Sequence, residues 1–205
     1  ALGELLASCD TDLAMLLMKM LAEHKSRAAL EGLRGASASP HQSVRLRAIE
    51  ARASIDPTDV VEDISALLDA DDPRMRTNAI RIVGAFKVGG VSAQLATQAL
   101  DKRFNDYGET EKQSLLQLIW ELDHEEGERV CIQLTRKSLL PDQKRDATRR
   151  IAIELLGARG TSQAALDAVM AATKRGFGNS RELRESGMFA AVRLNERMTE
   201  SFGDE

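Results

Sequence analysis

A helical sequence run that recurs along the chain constrains the fold more than any other feature. Its clearest copy, at residues 72–85, reads Asp-Pro-Arg-Met-Arg-Thr-Asn-Ala-Ile-Arg-Ile-Val-Gly-Ala. A second copy at 149–158 reads Arg-Arg-Ile-Ala-Ile-Glu-Leu-Leu-Gly-Ala, and its Gly157 aligns with Gly84, 73 residues earlier. That offset is about twice the length of a helical-pair repeat. The apolar run at 115–119 lies halfway between, and residues 44–49 supply an earlier copy.

Each repeat unit divides into two helices, the run itself and a second helix after a short break. Met75, Ala79, Ile82, Val83 and Phe86 recur at the spacing of one helix face. Breaks rich in Gly, Pro or Asp follow at 55–57, 88–90, 123–127 and 158–160. The pattern predicts helices near 12–24, 26–34, 41–54, 58–69, 74–87, 92–104, 111–122, 127–138, 144–157, 162–174 and 181–197. It also predicts a core that includes Ile82, Val83, Leu118, Ile119, Leu155 and Leu156.

The composition favours a folded helical protein. Hydrophobic residues make up 43% of the chain and aromatic residues only 3%, which disfavours a β-sandwich. The formal net charge of −4 gives no global attraction to nucleic acid or to an anionic membrane. The chain contains no apolar run of about 20 residues, so we expect no transmembrane helix.

The run Asp-Pro-Arg-x-Arg-x-x-Ala-Ile at 72–80 resembles the start of a HEAT-repeat helix, in the version common in bacterial proteins. Residues 39–49 and 144–157 are similar but weaker copies. The resemblance covers roughly residues 36–197 and implies an all-α fold, a right-handed α-α superhelix (α-solenoid) of helix pairs. The unit at 115–119 departs from the pattern because it lacks the Pro and the Arg.

Three segments are expected from this resemblance. Residues 1–35 do not show the pattern and are predicted to be N-terminal capping helices or a degenerate repeat. Residues 36–197 form the repeats, and 198–205 a short C-terminal tail. Because the chain starts with Ala1 rather than Met, we interpret it as one module of a longer protein.

HEAT-like proteins mostly act as interaction scaffolds, so the resemblance implies a partner: another protein or another domain of the parent chain. We expect a bacterial, cytoplasmic module of a signalling or assembly protein. The alternative is a nucleic-acid-binding protein of the DNA glycosylase type, for which Trp120 and Asp123 invite comparison. That function calls for a basic face with several aromatics, and the net charge of −4 and the single tryptophan count against it. A pigment-attaching lyase has no support beyond the fold.

Charge is unevenly spread and points to one candidate surface. Residues 50–72 carry eight acids against one base, and residues 136–150 carry six bases against two acids. The second segment is predicted to contact an acidic surface on a partner. Its candidate residues are Lys144, Arg145, Arg149 and Arg150. Arg149 aligns with Arg76, and we interpret Asp72 and Arg76 as structural braces between neighbouring units.

Two further features are candidates for partner binding. Trp120, the only tryptophan, lies on the flank of the apolar stripe and is either packed between units or an exposed anchor. The first helix is apolar nearly all round, and Met15 and Met18 are predicted to face away from its buried side. That buried side is predicted to contain Leu13, Leu16, Leu17, Met20 and Leu21.

The sequence contains no motif typical of catalysis or of cofactor binding. It has no Gly-rich phosphate loop, no Gly-x-Ser-x-Gly and no paired-histidine motif. The three histidines do not bracket Cys9 and Cys131 at ligand spacing, so we expect no zinc site and no cofactor. We expect Cys9 and Cys131 to be free thiols, which are typical of a reducing compartment; a single disulfide between them is the alternative.

Overall fold

The computed structural model describes residues 9–137, 142–176 and 178–203, with side chains described as far as residue 200. Every regular element within these ranges is a helix, so the predicted all-α class is confirmed. The chain divides into two compact units, Ala1–Val91 and Ser92–Glu205. None of the described helices is long and apolar enough to cross a lipid bilayer.

The first unit contains five described α-helices and two short 3₁₀ turns. The turns are Pro57–Val60, which leads directly into α4, and Gly89–Val91, which follows α5. The helices are α1 Thr11–His24, α2 Arg27–Ala36, α3 Gln42–Ile55, α4 Val61–Leu68 and α5 Pro73–Phe86.

The second unit contains six described α-helices and one 3₁₀ turn, Lys102–Asp106, between the first two. The helices are α6 Ser92–Leu100, α7 Glu109–Leu122, α8 His124–Leu134, α9 Gln143–Arg159, α10 Gln163–Thr173 and α11 Arg181–Gly203.

Helix pairs stack in both units. In the first unit, α3 packs between α1 and α5. The second helices lie beside them: α2 contacts α1 and α3, and α4 contacts α5. In the second unit α7 packs on α9 and α9 on α11, while α8 and α10 pack beside them. The prediction of at least four helix pairs is confirmed by α1/α2, α3/α4, α7/α8 and α9/α10.

Some observed helix ends differ from the predicted ones, and at the start of α8 a local hydrogen bond explains the difference. The helix predicted to start at 127 begins at His124, because the Asp123 carboxylate accepts a bond from the Glu126 amide at 3.0 Å. The helix predicted over 92–104 ends at Leu100, and Phe104 is buried on the following 3₁₀ turn. The predicted end at 138 lies outside the described residues.

The predicted domain boundaries stay predictions. The boundary at residue 35 falls inside α2, and α11 passes position 198 without a break and ends at Gly203. The division of the chain into compact units falls at a different position, after Val91.

The core agrees with the repeat pattern. All six residues predicted for it, from Ile82 to Leu156, are buried, and the most exposed of them retains 6% of its accessible surface. Gly157, the glycine of the 149–158 copy, lies where two helices cross closely. A Cβ atom on Gly157 of α9 would lie 2.5 Å from the Ala190 Cα on α11, so a side chain there would push the two helices apart.

The prediction for the first helix is wrong about which side is buried. Met18 and Ala14 are fully buried, while Leu13, Leu16 and Met20 are 45%, 57% and 51% exposed. The side with Ala14 packs against α3, where small side chains let the two backbones approach. Leu17, Leu21 and Met15 lie partly buried at its edges.

Replacing Ile119 with Ala should lower the free energy of unfolding by about 2–5 kcal/mol, because the cavity left between helices relaxes only partly. Replacing Met170, which is 46% exposed on α10, with Ala should change it by less than about 0.5 kcal/mol. Urea unfolding followed by circular dichroism measures both values. Similar small effects at the two positions would contradict the core position of Ile119.

Candidate partner-binding site

Cations brace the connections between one helix pair and the next. Arg76 donates from one Nη atom to the carbonyl oxygens of Ala70 and Asp71, each at 2.9 Å. Arg45 donates in the same way to Ser39 and Pro40, at 2.8 and 3.0 Å. Each arginine is the fourth residue of its helix, and both satisfy carbonyls of the preceding connection.

Asp72 completes the brace at the start of α5. Its carboxylate accepts a hydrogen bond from the Arg74 amide at 2.9 Å and so caps the helix. The structural interpretation of Asp72 and Arg76 is therefore confirmed by their contacts.

Lys112 has the same role in the unit that lacks the arginine. It is the fourth residue of α7, it is buried, and its Nζ atom donates to the Asn105 carbonyl at 2.7 Å. Burial lowers the pKa of Lys112 because the charged form loses hydration. The sequence analysis missed this residue, although its position relative to the helix start could have identified it.

Arg149 is a brace and not a surface residue. It is 1% exposed, and its guanidinium donates to the Thr135 carbonyl at 3.2 Å, to the Gly178 carbonyl, and to the Asn179 and Asp146 side chains at 3.0 Å. The positive charge of Arg149 is therefore stabilised by acceptors within the second unit. The structure removes Arg149 from the residues that a partner can contact.

Two more residues of the basic segment are paired with acids. The Lys144 Nζ atom lies 2.6 Å from an Asp106 carboxylate oxygen, and this hydrogen bond lowers the pKa of Asp106. Arg150 donates to both oxygens of Glu109, at 3.0 and 3.1 Å, and also contacts Glu154. These ion pairs compensate much of the positive charge that the sequence places at 144–150.

Arg145 is different because it lines a cavity together with other cations. The cavity measures about 260 Å³ and lies where α6 and α8 end and α9 begins. We call it the basic cavity and define it by Lys102, Arg136 and Arg145. Leu100, which is 37% exposed, and Leu134 add apolar surface to its wall.

The cations of the basic cavity have no acidic partner within the described part of the chain, in contrast to Lys144, Arg149 and Arg150. The Arg145 guanidinium donates to the Arg136 carbonyl oxygen at 3.3 Å. Asp101, the acid among the lining residues, caps the 3₁₀ turn by accepting from the Arg103 amide at 2.8 Å. Three cations and one carboxylate line the cavity, which therefore carries an excess of positive charge.

Trp120 is a packing residue. It is 4% exposed, and the Gly127 backbone lies against it so closely that a Cβ atom there would lie 2.7 Å from the Trp120 Cα. His124 packs edge-on against its ring at a centroid distance of 5.4 Å. Trp120 is therefore not available as an exposed anchor or as a stacking platform for a base, and Asp123 is occupied as the cap of α8.

The methionines proposed for partner binding are also unsuited to it. Met18 is fully buried and Met15 half-buried against the core of the first unit. Among the described residues, no group of three His, Cys, Asp or Glu side chains is arranged to hold a metal ion.

Comparison with known families agrees with the fold. Residues 31–120 match the family model of HEAT repeats. This part of the chain is made of HEAT repeats. The match starts inside α2 and ends on α7, so it covers copies of the run on both sides of Val91. Proteins with HEAT repeats are generally protein-interaction scaffolds. Comparison with curated proteins finds no match.

Replacing Arg149 with Met should lower the free energy of unfolding by about 3–5 kcal/mol, because several buried acceptors lose their donor. Replacing Arg145 with Met on the same helix should cost less than about 0.5 kcal/mol. Urea denaturation of the two variants measures the difference. Equal stability of the variants would show that Arg149 does not brace the helix connections of the second unit.

Cys131 should resist thiol reagents in the folded protein. Burial raises its pKa far above the ordinary value, so almost no thiolate forms near neutral pH, whereas Cys9 is only half-buried. No disulfide joins the two residues. With Ellman's reagent at pH 8, we expect one thiol to react before denaturation and the second only after it. Fast reaction of both thiols would contradict the burial of Cys131.

Proposed function

We propose that this chain is a protein-binding HEAT-repeat module and that the basic cavity receives acidic side chains of its partner. The observation that carries the proposal is the cluster of Lys102, Arg136 and Arg145 without an acidic partner in the described part of the chain. The family supports the coarser part of the proposal, since HEAT repeats generally bind proteins.

The chemistry of the cavity favours a carboxylate-bearing partner. Two guanidinium groups can hold carboxylates through paired, charge-assisted hydrogen bonds. Arg145 is half-buried, so a carboxylate that reaches it is less screened by water than one on an open surface. Leu100 at the wall can contact an apolar side chain next to the acid.

Lys144 contributes less to this interaction. Its ammonium already pairs with Asp106, and both side chains are well exposed, at 69% and 64%. A partner would have to replace an existing ion pair there, and exposed pairs contribute little free energy. We therefore expect Lys144 to affect the rate of encounter more than the lifetime of the complex.

The kind of parent protein and its compartment are part of the same proposal. We assign the module to a larger bacterial signalling or assembly protein that works in the cytoplasm. The unbridged thiols of Cys9 and Cys131 support a reducing compartment. The glycosylase-type alternative loses its aromatic candidate, because Trp120 is packed inside its unit.

Reversing the charges of the cavity should weaken partner binding. The partner is first isolated from lysate of the source cells by photo-cross-linking to the wild-type chain. We expect Arg136→Glu with Arg145→Glu to lower affinity at least about tenfold and to reduce its salt dependence. Lys144→Glu, the matched control on the same helix, should change affinity less than about threefold. Biolayer interferometry at two salt concentrations measures these values.

Two results would contradict the proposal. One is a captured partner that nuclease removes and protease does not, which would favour nucleic acid. The other is equal affinity and an equal salt slope for the wild type and the doubly reversed variant, with helicity preserved in both.

A further inference from the structure

A second cavity lies in the first unit, apart from the residues of the proposed function. It measures about 300 Å³ and is bounded by the C-terminal halves of α1 and α3 and by Phe86, the last residue of α5. Its accessible apolar surface comes from the half-buried Ala22 and Phe86, and the buried Met18 and Ala51 lie beneath them. The space exists because small residues, Ala22 and Ala51, stand where larger side chains would fill it. We call it the apolar cleft.

Glu50, one of the two acids that line the cleft, is paired with two arginines. The Glu50 carboxylate lies 2.9 Å from Arg47 on its own helix and 2.9 Å from Arg81 on α5. The hydrogen bond from Arg81 is the main cause of the lowered pKa of Glu50. Glu50 therefore stays ionised and bound at neutral pH, and it adds little negative potential to the cleft.

The remaining charges of the rim are Lys19, Lys25 and Glu23, all exposed. In the described part of the chain, neither lysine forms an ion pair with a carboxylate. Lys25 ends α1 in the left-handed conformation, with φ of 44°. The rim thus carries an excess of positive charge above an apolar floor.

We infer that the apolar cleft binds one bulky apolar side chain of a partner polypeptide, followed or preceded by a carboxylate that pairs with Lys19 or Lys25. The volume is at the lower end of ligand cavities and suits a single anchoring side chain. An aromatic or aliphatic anchor in a desolvated pocket is the usual centre of a protein interface. The lysines then select acidic neighbours of the anchor over basic ones.

The polarity of the cleft separates it from the basic cavity. The cleft offers the half-buried Ala22 and Phe86 to an apolar group, with charged residues only at its edge. The basic cavity has three cations in its lining. A partner anchor should therefore bind in the cleft through burial of apolar surface, with the lysines deciding which anchors are accepted.

Two matched probes test the inference on the whole chain: 4-phenylbutyrate and 4-phenylbutylamine, which share the aryl group and differ in charge. Methyl-selective NMR follows Met18 and Ala51 during each titration. We expect saturable shifts of both methyl groups with phenylbutyrate and about fivefold weaker binding of the amine. Lys19→Glu with Lys25→Glu should reverse this preference.

Filling the cleft provides the control for its location. Ala51→Leu should abolish the methyl shifts of Met18, and Ala22→Leu, at the half-buried edge, serves if the first variant does not fold. Absence of shifts with either probe, or shifts that survive both filling variants, would overturn the cleft as the site. Equal affinity for the two probes would contradict the proposal that the partner carries a carboxylate next to its apolar anchor.

The test is independent of the proposed function. The variant Arg136→Glu with Arg145→Glu alters only the second unit, so it should bind phenylbutyrate like the wild type. Unchanged partner affinity of this variant, with intact probe binding, would contradict the basic cavity alone. Weakened partner binding of this variant, with no probe binding by the wild type, would contradict the cleft alone.

Discussion

Connections between helix pairs contain carbonyl groups that no helix satisfies, and a cation from the next helix donates to them. Arg45, Arg76 and Lys112 occupy the same position, the fourth residue of α3, α5 and α7. Each points back to the connection that precedes its helix. A buried carbonyl without a donor costs about 1–3 kcal/mol, so these side chains let the chain turn sharply inside a packed stack.

Arg149 extends this arrangement because it contacts two connections at once. It donates to Thr135 after α8 and to Gly178 and Asn179 before α11. Asn179 in turn donates to the carbonyl oxygens of Ala171 and Lys174 at the end of α10. One buried guanidinium therefore ties together the ends of four helices in the second unit.

The braces also determine which charges remain for a partner. A sequence count treats all six bases of 136–150 alike. In the structure, Arg149 is buried and hydrogen-bonded within the fold, while the charges of Lys144 and Arg150 are compensated by acids. Arg136 and Arg145 line the basic cavity together with Lys102, which belongs to a different part of the sequence. Of the residues predicted for the site, Arg145 best fits a contact with an acidic partner.

The sequence by itself determined the all-α class, the positions of the helices and the six core residues, because helix periodicity and turn residues are local signals. It did not determine the buried side of α1 or the role of Lys112. Two apolar faces compete on α1, and only packing against α3 selects the one with Ala14 and Met18. Likewise, a cation becomes a brace or a binding residue according to the carbonyls and acids that the fold brings near it. Those neighbours come from distant parts of the chain, so only the tertiary structure decided them.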